Sequence, residues 1–289
     1  MRFALPFNRA TTYLNAIKFE HTIFALPFAY LGMTLAARGW PGWPIAIWTT
    51  LAMVGARTGA MAANRLIDAG LDARNPRTAQ RAIPMGLMSK LEMLALAIAG
   101  FSLLHFAAWQ LNGLALALAP IAMVAVTLYS YTKRFTWASH WILGLVDGIA
   151  PVGGWIAVTS GFSIEAAILA LVVMFWIGGF DILYATQDVD FDRETGLHSI
   201  PQRFGLAIAL WLARTSHILA VIALTALGAI AALGWPYWIG IAIISLLLIY
   251  ENRLLKPQDL SRLNLAFFNI NGYVAMAALL FTALGIWHG

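Results

Sequence analysis

Nine stretches of this chain are runs of apolar residues almost free of charge, and they constrain the fold more than any other feature. They lie at about 22–37, 45–66, 90–109, 113–132, 138–159, 164–184, 206–232, 237–250 and 264–287, the eighth being short. A helix crossing the bilayer core takes roughly 17–25 mostly apolar residues, because backbone polar groups find no water there and must bond within the segment. A soluble domain carries about 25% charged residues. Here 11% are charged and 61% hydrophobic, with mean hydropathy +0.77. The pattern predicts an all-α integral membrane protein, a single polytopic domain over 1–289 with nine transmembrane helices. Residues 1–20 are mixed in character and read as a short interfacial helix. The first apolar run is followed by many others and no small-residue cleavage site closes it, so it does not read as a signal peptide.

The placement of charge supports that count. Arginine and lysine occupy the N-terminus and the loops after the second, fourth, sixth and eighth runs, whereas the other loops hold only Arg38. By the positive-inside rule the basic loops and the N-terminus are expected in the cytoplasm, in an inner (cytoplasmic) membrane. The pI of 9.7 therefore reads as topology and as affinity for an anionic ligand, not for nucleic acid. The chain has no cysteine, which excludes disulfides, thiolate metal sites and cysteine nucleophiles. Trp40-Pro41-Gly42-Trp43-Pro44 and Gly234-Trp235-Pro236 read as turns bearing interfacial aromatics.

Two acidic segments interrupt this oily background. Asn64, Asp68 and Asp72 recur every four residues at the end of the second run, and Tyr184, Asp188 and Asp192 repeat the spacing at the end of the sixth. On a helix such residues share one face, with Cβ atoms roughly 5–6 Å apart. Carboxylate and amide oxygens so placed suit Mg²⁺, which prefers oxygen ligands and completes its shell with water and phosphate. Asn64, Asp68, Asp72, Asp188 and Asp192 are the candidate metal ligands. Clustered acids repel one another unless cations lie between them. Arg65, Arg74, Arg77, Arg81, Lys133, Arg134, Arg193 and Arg203 surround the two segments. Acids for metal and bases for oxygens on one membrane face describe a diphosphate clamp. A diphosphate needs so many apolar helices only if it carries a hydrocarbon tail, which points to loss of diphosphate from an allylic isoprenoid. Both segments lead on to an Ile-Pro pair and then a Gly-Leu pair, Ile83-Pro84 with Gly86-Leu87 and Ile200-Pro201 with Gly205-Leu206. The expected architecture is two four-helix pseudo-repeats plus one helix, around a central cavity that both acidic ends face.

With these residues the chain resembles the UbiA superfamily of intramembrane prenyltransferases, in particular its 4-hydroxybenzoate polyprenyltransferase-like branch. Asn64-x3-Asp68-x3-Asp72 is similar to the first aspartate-rich motif of that family, and Asp181-x2-Tyr184-x3-Asp188-x3-Asp192 to the second. Arg57 and Tyr129-x3-Lys133-Arg134 also stand where the family carries such residues. Lys18-Phe19-Glu20-His21 resembles its entry motif, with His21 where lysine is usual, and Asp147 departs from the pattern. The resemblance implies a cavity capped by the motif loops and open sideways to lipid. It also implies catalytic roles for Asp68, Asp72, Asp188 and Asp192. Substrate contacts are implied for Asn64, Arg57, Lys18, Arg77, Arg81, Lys133, Arg134, Asp181 and Tyr184.

The implied reaction is Mg²⁺-dependent transfer of a polyprenyl group to a 4-hydroxybenzoate-type aromatic acid in quinone biosynthesis. A bicyclic naphthoate-type acceptor of a menaquinone route fits the same clamp, and the Lys18–Pro27 segment is compatible with it. An acceptor carboxylate needs its own cation, for which Arg57, lying deepest, is the candidate and Lys18 the alternative. A secondary transporter is the reading from another class, but its carboxylates are expected near the midplane instead of at helix ends. The expected partners are the two substrates and the lipid bilayer, with no nucleic acid and no obligate protein. Blander readings stand beside these: Lys133 and Arg134 as topology anchors, Arg57 and Asp147 in structural pairs, and His21 and His198 as interfacial or capping residues.

Overall fold

The computed structural model of the chain describes residues 9–17, 20–255, 259–260, 262–263 and 269–289. Lys18 lies outside the described residues, as does the side chain of His21.

The described residues form helices joined by short turns. An N-terminal helix α1 (Arg9–Ala16) precedes α2 (Glu20–Ala37) and α3 (Trp43–Ile67), and one further turn forms α4 (Ala69–Asp72). Then come α5 (Lys90–Leu111), α6 (Gly113–Leu128) with a 3₁₀ extension Tyr129–Arg134, α7 (Ser139–Asp147) and α8 (Ile149–Thr159). The second half comprises α9 (Ile164–Ala185), a 3₁₀ turn Thr186–Asp188, α10 (Val189–Thr195), α11 (Ile200–Ile230), α12 (Trp235–Leu254) and α13 (Asn271–Trp287). Six helical stretches among the described residues are long and apolar enough to cross a membrane, from Lys90–Leu111 through Trp235–Leu254. Leu26–Ala37 and Asn271–Trp287 are shorter apolar helices. Large apolar side chains lie on the outside, among them Leu91, Ile98, Ile121, Trp211, Ile222 and Leu246. The chain is a multi-pass membrane protein.

Local chemistry sets the helix ends. Ser89 accepts from the backbone of Glu92 while the Glu92 carboxylate accepts from the Ser89 backbone, a capping box that starts α5. Asn112, Ser163 and Ser199 accept the first free N–H groups of α6, α9 and α11 through their side chains. Pro44 and Pro236 stand in the first turns of α3 and α12, where a missing N–H costs nothing. Two runs that read as straight spans are bent. The fifth breaks at Gly148 into α7 and α8, which leaves Asp147 as the last residue of α7. The seventh starts earlier than its apolar run, at Ile200, and kinks at Gly205 with φ +80. Gly86, at the corresponding place after the first acidic segment, also has positive φ, +67. Both positions use the left-handed region that glycine enters at little cost.

Packing joins the helices into a closed ring. Going round, α3 packs on α2 and α5, α5 on α6, α6 on α7 and α8, α7 on α9, α9 on α11, α11 on α12, and α12 on α13, which returns to α2. Small residues allow the closest crossings. A Cβ at Gly55 would lie 2.6 Å from the Leu104 backbone nitrogen, and one at Gly154 would lie 3.1 Å from that of Met33. Such contacts drive helix association in lipid, where burial of apolar surface contributes little. The second crossing brings α8 against α2. Space is left at the end where α3, α6 and α9 run into their polar extensions.

Candidate diphosphate and metal site

A cavity of about 190 Å³ opens at that end. The first acidic segment enters through α3 and α4. Its helical register continues through the break at Asp68, since Asp68 N–H donates to Asn64 at 2.9 Å and Asp72 N–H to Asp68 at 2.8 Å. The second runs off α9 through the 3₁₀ turn, a tightened winding that often marks functional positions. The structure brings nine of the expected residues to this one cavity: Asn64, Asp68, Asp72, Arg77, Arg81, Lys133, Arg134, Asp188 and Asp192.

Three of the four carboxylates, Asp68, Asp72 and Asp188, are paired with arginines. Asp72, Asp188 and Asp192 are only 5%, 6% and 2% exposed. Arg77 donates to both oxygens of Asp188, through Nε at 2.8 Å and Nη2 at 2.6 Å. Arg81 Nη1 donates to Asp72 at 2.6 Å, and Arg134 Nη2 to Asp68 at 3.1 Å. Burial pushes the Asp68 carboxyl, just beyond the end of α3, above the usual carboxylate range, against the opposing pull of Arg134 and Asn64. Asn64 spends its amide nitrogen on Asp68 at 2.9 Å and Ser130 at 3.1 Å, so its oxygen is the atom it can offer a ligand.

The donor set fits a hard divalent cation. Asp72 Oδ2 and Asp192 Oδ2 are buried without a hydrogen-bond partner, one from each acidic segment. Buried carboxylate oxygens are costly to leave without a donor or a cation. Among the described residues no three His, Asp or Glu side chains converge as a ready-made metal cage. Mg²⁺ commonly binds through one or two carboxylates and takes its remaining oxygens from phosphate and water.

Other expected residues lie elsewhere. Tyr184 receives a 3.2 Å bond from Arg77 Nη1, and that guanidinium lies 5.3 Å from the ring centroid. Asp181, one turn deeper on α9, bonds His140 at 2.7 Å. Arg57 is half-buried inside α3, with Nε buried and without a partner, and its charge acts on Asp147. Arg65 is 6% exposed and donates to the Ala16 carbonyl, tying α1 to α3. Arg74, Arg193 and Arg203 are exposed and do not line the cavity. His198 is half-buried, and its backbone N–H donates to the Lys133 carbonyl at 2.7 Å.

The cavity also holds residues that no pattern in the sequence singles out. Asn75, Thr78 and Ser130 line the cavity, and Asn75 Nδ2 donates to Asp188 at 3.1 Å. Their sequence signal is slight: Asn75 stands three residues beyond Asp72, and Ser130 is a polar residue at the end of an apolar run.

The model of the UbiA prenyltransferase family matches residues 25–273. The chain is 28% identical over 289 residues to a 4-hydroxybenzoate octaprenyltransferase of Vibrio cholerae, covering 96% of this chain and 99% of that one. It is likewise 28% identical over 240 residues to the enzyme of that name from Methylobacillus flagellatus, covering 83% and 81%. Among solved structures, the apo form of a UbiA homolog from Aeropyrum pernix superposes with a TM-score of 0.83 at 33% identity, covering 92% of this chain and 98% of that one. A UbiA homolog from Archaeoglobus fulgidus bound to GPP and Mg²⁺ shares the fold with a TM-score of 0.69 at 19% identity, covering 96% and 99%. The chain belongs to the UbiA prenyltransferase family.

Proposed function

We propose that the protein transfers a polyprenyl group from an allylic polyprenyl diphosphate to an aromatic acid of the 4-hydroxybenzoate type, with Mg²⁺, in quinone biosynthesis. The observation that carries this reading is the meeting of both acidic segments in one cavity, where Arg77, from the loop after the first, grips Asp188 of the second, 111 residues further on. Asn64, Asp68 and Asp72 from one side and Asp188 and Asp192 from the other are the residues that would hold the metal. Bound there, Mg²⁺ would neutralise charge on the diphosphate and favour its departure. Arg77, Arg81, Lys133 and Arg134 supply donors that suit phosphate oxygens as well as carboxylates. The allylic C–O bond breaks with both electrons leaving on the diphosphate, and a ring carbon ortho to the phenol captures the cation and then loses its proton. Arg57 would meet the acceptor carboxylate beneath the diphosphate, and Asp181 and Tyr184 would be further substrate contacts. The relatives' names support the acceptor class.

In this reading the two shorter apolar helices and α3 join the six long stretches as nine spans arranged as two four-helix repeats plus one. The basic loops face the cytoplasm of an inner membrane. The carboxylates stand at helix ends beside basic loops, which disfavours a transporter with a midplane site. The test is purified protein given labelled polyprenyl diphosphate and a panel of aromatic acids. A product heavier than 4-hydroxybenzoate by one prenyl group supports the proposal. A product formed only on the bicyclic naphthoate replaces the acceptor and keeps the chemistry.

A further inference from the structure

We propose that His140 is a positioning residue that fixes the carboxylate of Asp181 for prenyl transfer, an inference that rests on the function proposed above. His140, in the first turn of α7, is fully buried. Its Nδ1 lies 2.7 Å from Asp181 Oδ2, and its Nε2 lies 3.3 Å from the backbone nitrogen of Ile200. The backbone N–H of Ile200 can only donate, so Nε2 accepts and carries no proton. The ring proton is therefore on Nδ1 and is donated to Asp181, since a neutral imidazole has one donor and one acceptor. Both ring nitrogens are committed, and the ring cannot turn without losing both bonds.

The position of this pair gives it a purpose. Ile200 is the first residue of α11, directly after the loop that leaves the second acidic segment. The same loop is tied to the end of the 3₁₀ extension by the His198–Lys133 backbone bond. His140 thus joins the α7 start, the α9 carboxylate and the α11 start at one point. Asp181 retains 15% side-chain exposure and is within electrostatic reach of Lys133 and Asp188, both of which line the cavity. Without its imidazole donor, this carboxylate is expected to turn toward Lys133 and compete for a cation the diphosphate needs. Residues that orient a site group through a hydrogen bond commonly change activity tenfold to a hundredfold when removed.

The test compares His140→Ala, His140→Asn and Asp181→Asn with the parent enzyme, measuring kcat and both KM values. Asparagine places an amide N–H near the position of Nδ1. The expected result is a fall in kcat of about tenfold or more for His140→Ala, with at least half of that loss, on a logarithmic scale, recovered in His140→Asn. Adding His140→Ala to Asp181→Asn should then cost little more. Equal losses from His140→Ala in both backgrounds would overturn the proposal and leave His140 as a packing residue, as would an alanine variant that keeps parental kcat. If the alanine variant fails to fold, His140→Asn decides: kcat more than tenfold below the parent in a folded protein overturns the proposal. A parent enzyme that transfers no prenyl group would count against the proposed function, which separates that failure from this one.

Discussion

Arg77 grips both carboxylate oxygens of Asp188, at 2.8 and 2.6 Å, across the gap between the two halves of the chain. The guanidinium fork matches the carboxylate in a way a lysine ammonium cannot. The pair is partly open, with 31% of the arginine side chain exposed, so its main effect is expected on ligand binding instead of on stability. Arg77→Lys should raise the apparent KM for the prenyl diphosphate about tenfold, and Arg77→Ala by tenfold to a hundredfold, consistent with loss of roughly 1.5–3 kcal/mol for a charged hydrogen bond. Steady-state kinetics with the acceptor saturating will show this.

The metal prediction concerns the two carboxylate oxygens that lack protein donors, Asp72 Oδ2 and Asp192 Oδ2. Asp72→Asn and Asp192→Asn each keep the shape of the side chain but lose its charge. Each should raise the Mg²⁺ concentration needed for half-maximal transfer by at least tenfold, and EDTA should abolish transfer by the parent enzyme until Mg²⁺ is restored. A Mg²⁺ titration of initial rates checks both statements.

Arg57 should behave differently from Arg77. It lies inside α3, below the acidic residues, and is absent from the cavity lining that holds the clamp arginines. Arg57→Ala is expected to raise KM for the aromatic acid roughly tenfold to a hundredfold and to leave KM for the prenyl diphosphate within about twofold. Equal changes for both substrates would assign Arg57 to the clamp.

How much of this was legible in the sequence depends on the range of the interaction. Ser89, Asn112, Ser163 and Ser199 set helix starts through bonds to residues three positions on, a local signal that lies beside the apolar runs. The two acidic segments were also legible, since their spacing encodes a helix face. The Arg77–Asp188, Asn75–Asp188 and His140–Asp181 contacts join residues far apart in sequence, and no local pattern announces them. The break after Asp147 was hidden because α7 and α8 are both apolar, and the backbone turns there without any interruption of hydropathy.

Topology offers a prediction that does not depend on catalysis. The protein lacks cysteine, so single substitutions report their own side of the membrane. Gln80→Cys, in the first acidic loop, should react with an impermeant thiol reagent only from the cytoplasmic side. His288→Cys should react only from the other side if, as proposed, the spans number nine. Labelling of both positions from one side would show that the number of spans is even.

The central claim is that the two halves of the chain contribute to one metal–diphosphate site. Equilibrium binding of a labelled polyprenyl diphosphate tests this most directly, with no acceptor present. Asp72→Ala removes a carboxylate of the first segment and Asp192→Ala one of the second. The account predicts saturable binding in Mg²⁺ that is lost in EDTA and weakened at least tenfold by either substitution in folded, membrane-inserted protein. Normal affinity in either variant, or binding indifferent to Mg²⁺, would contradict it.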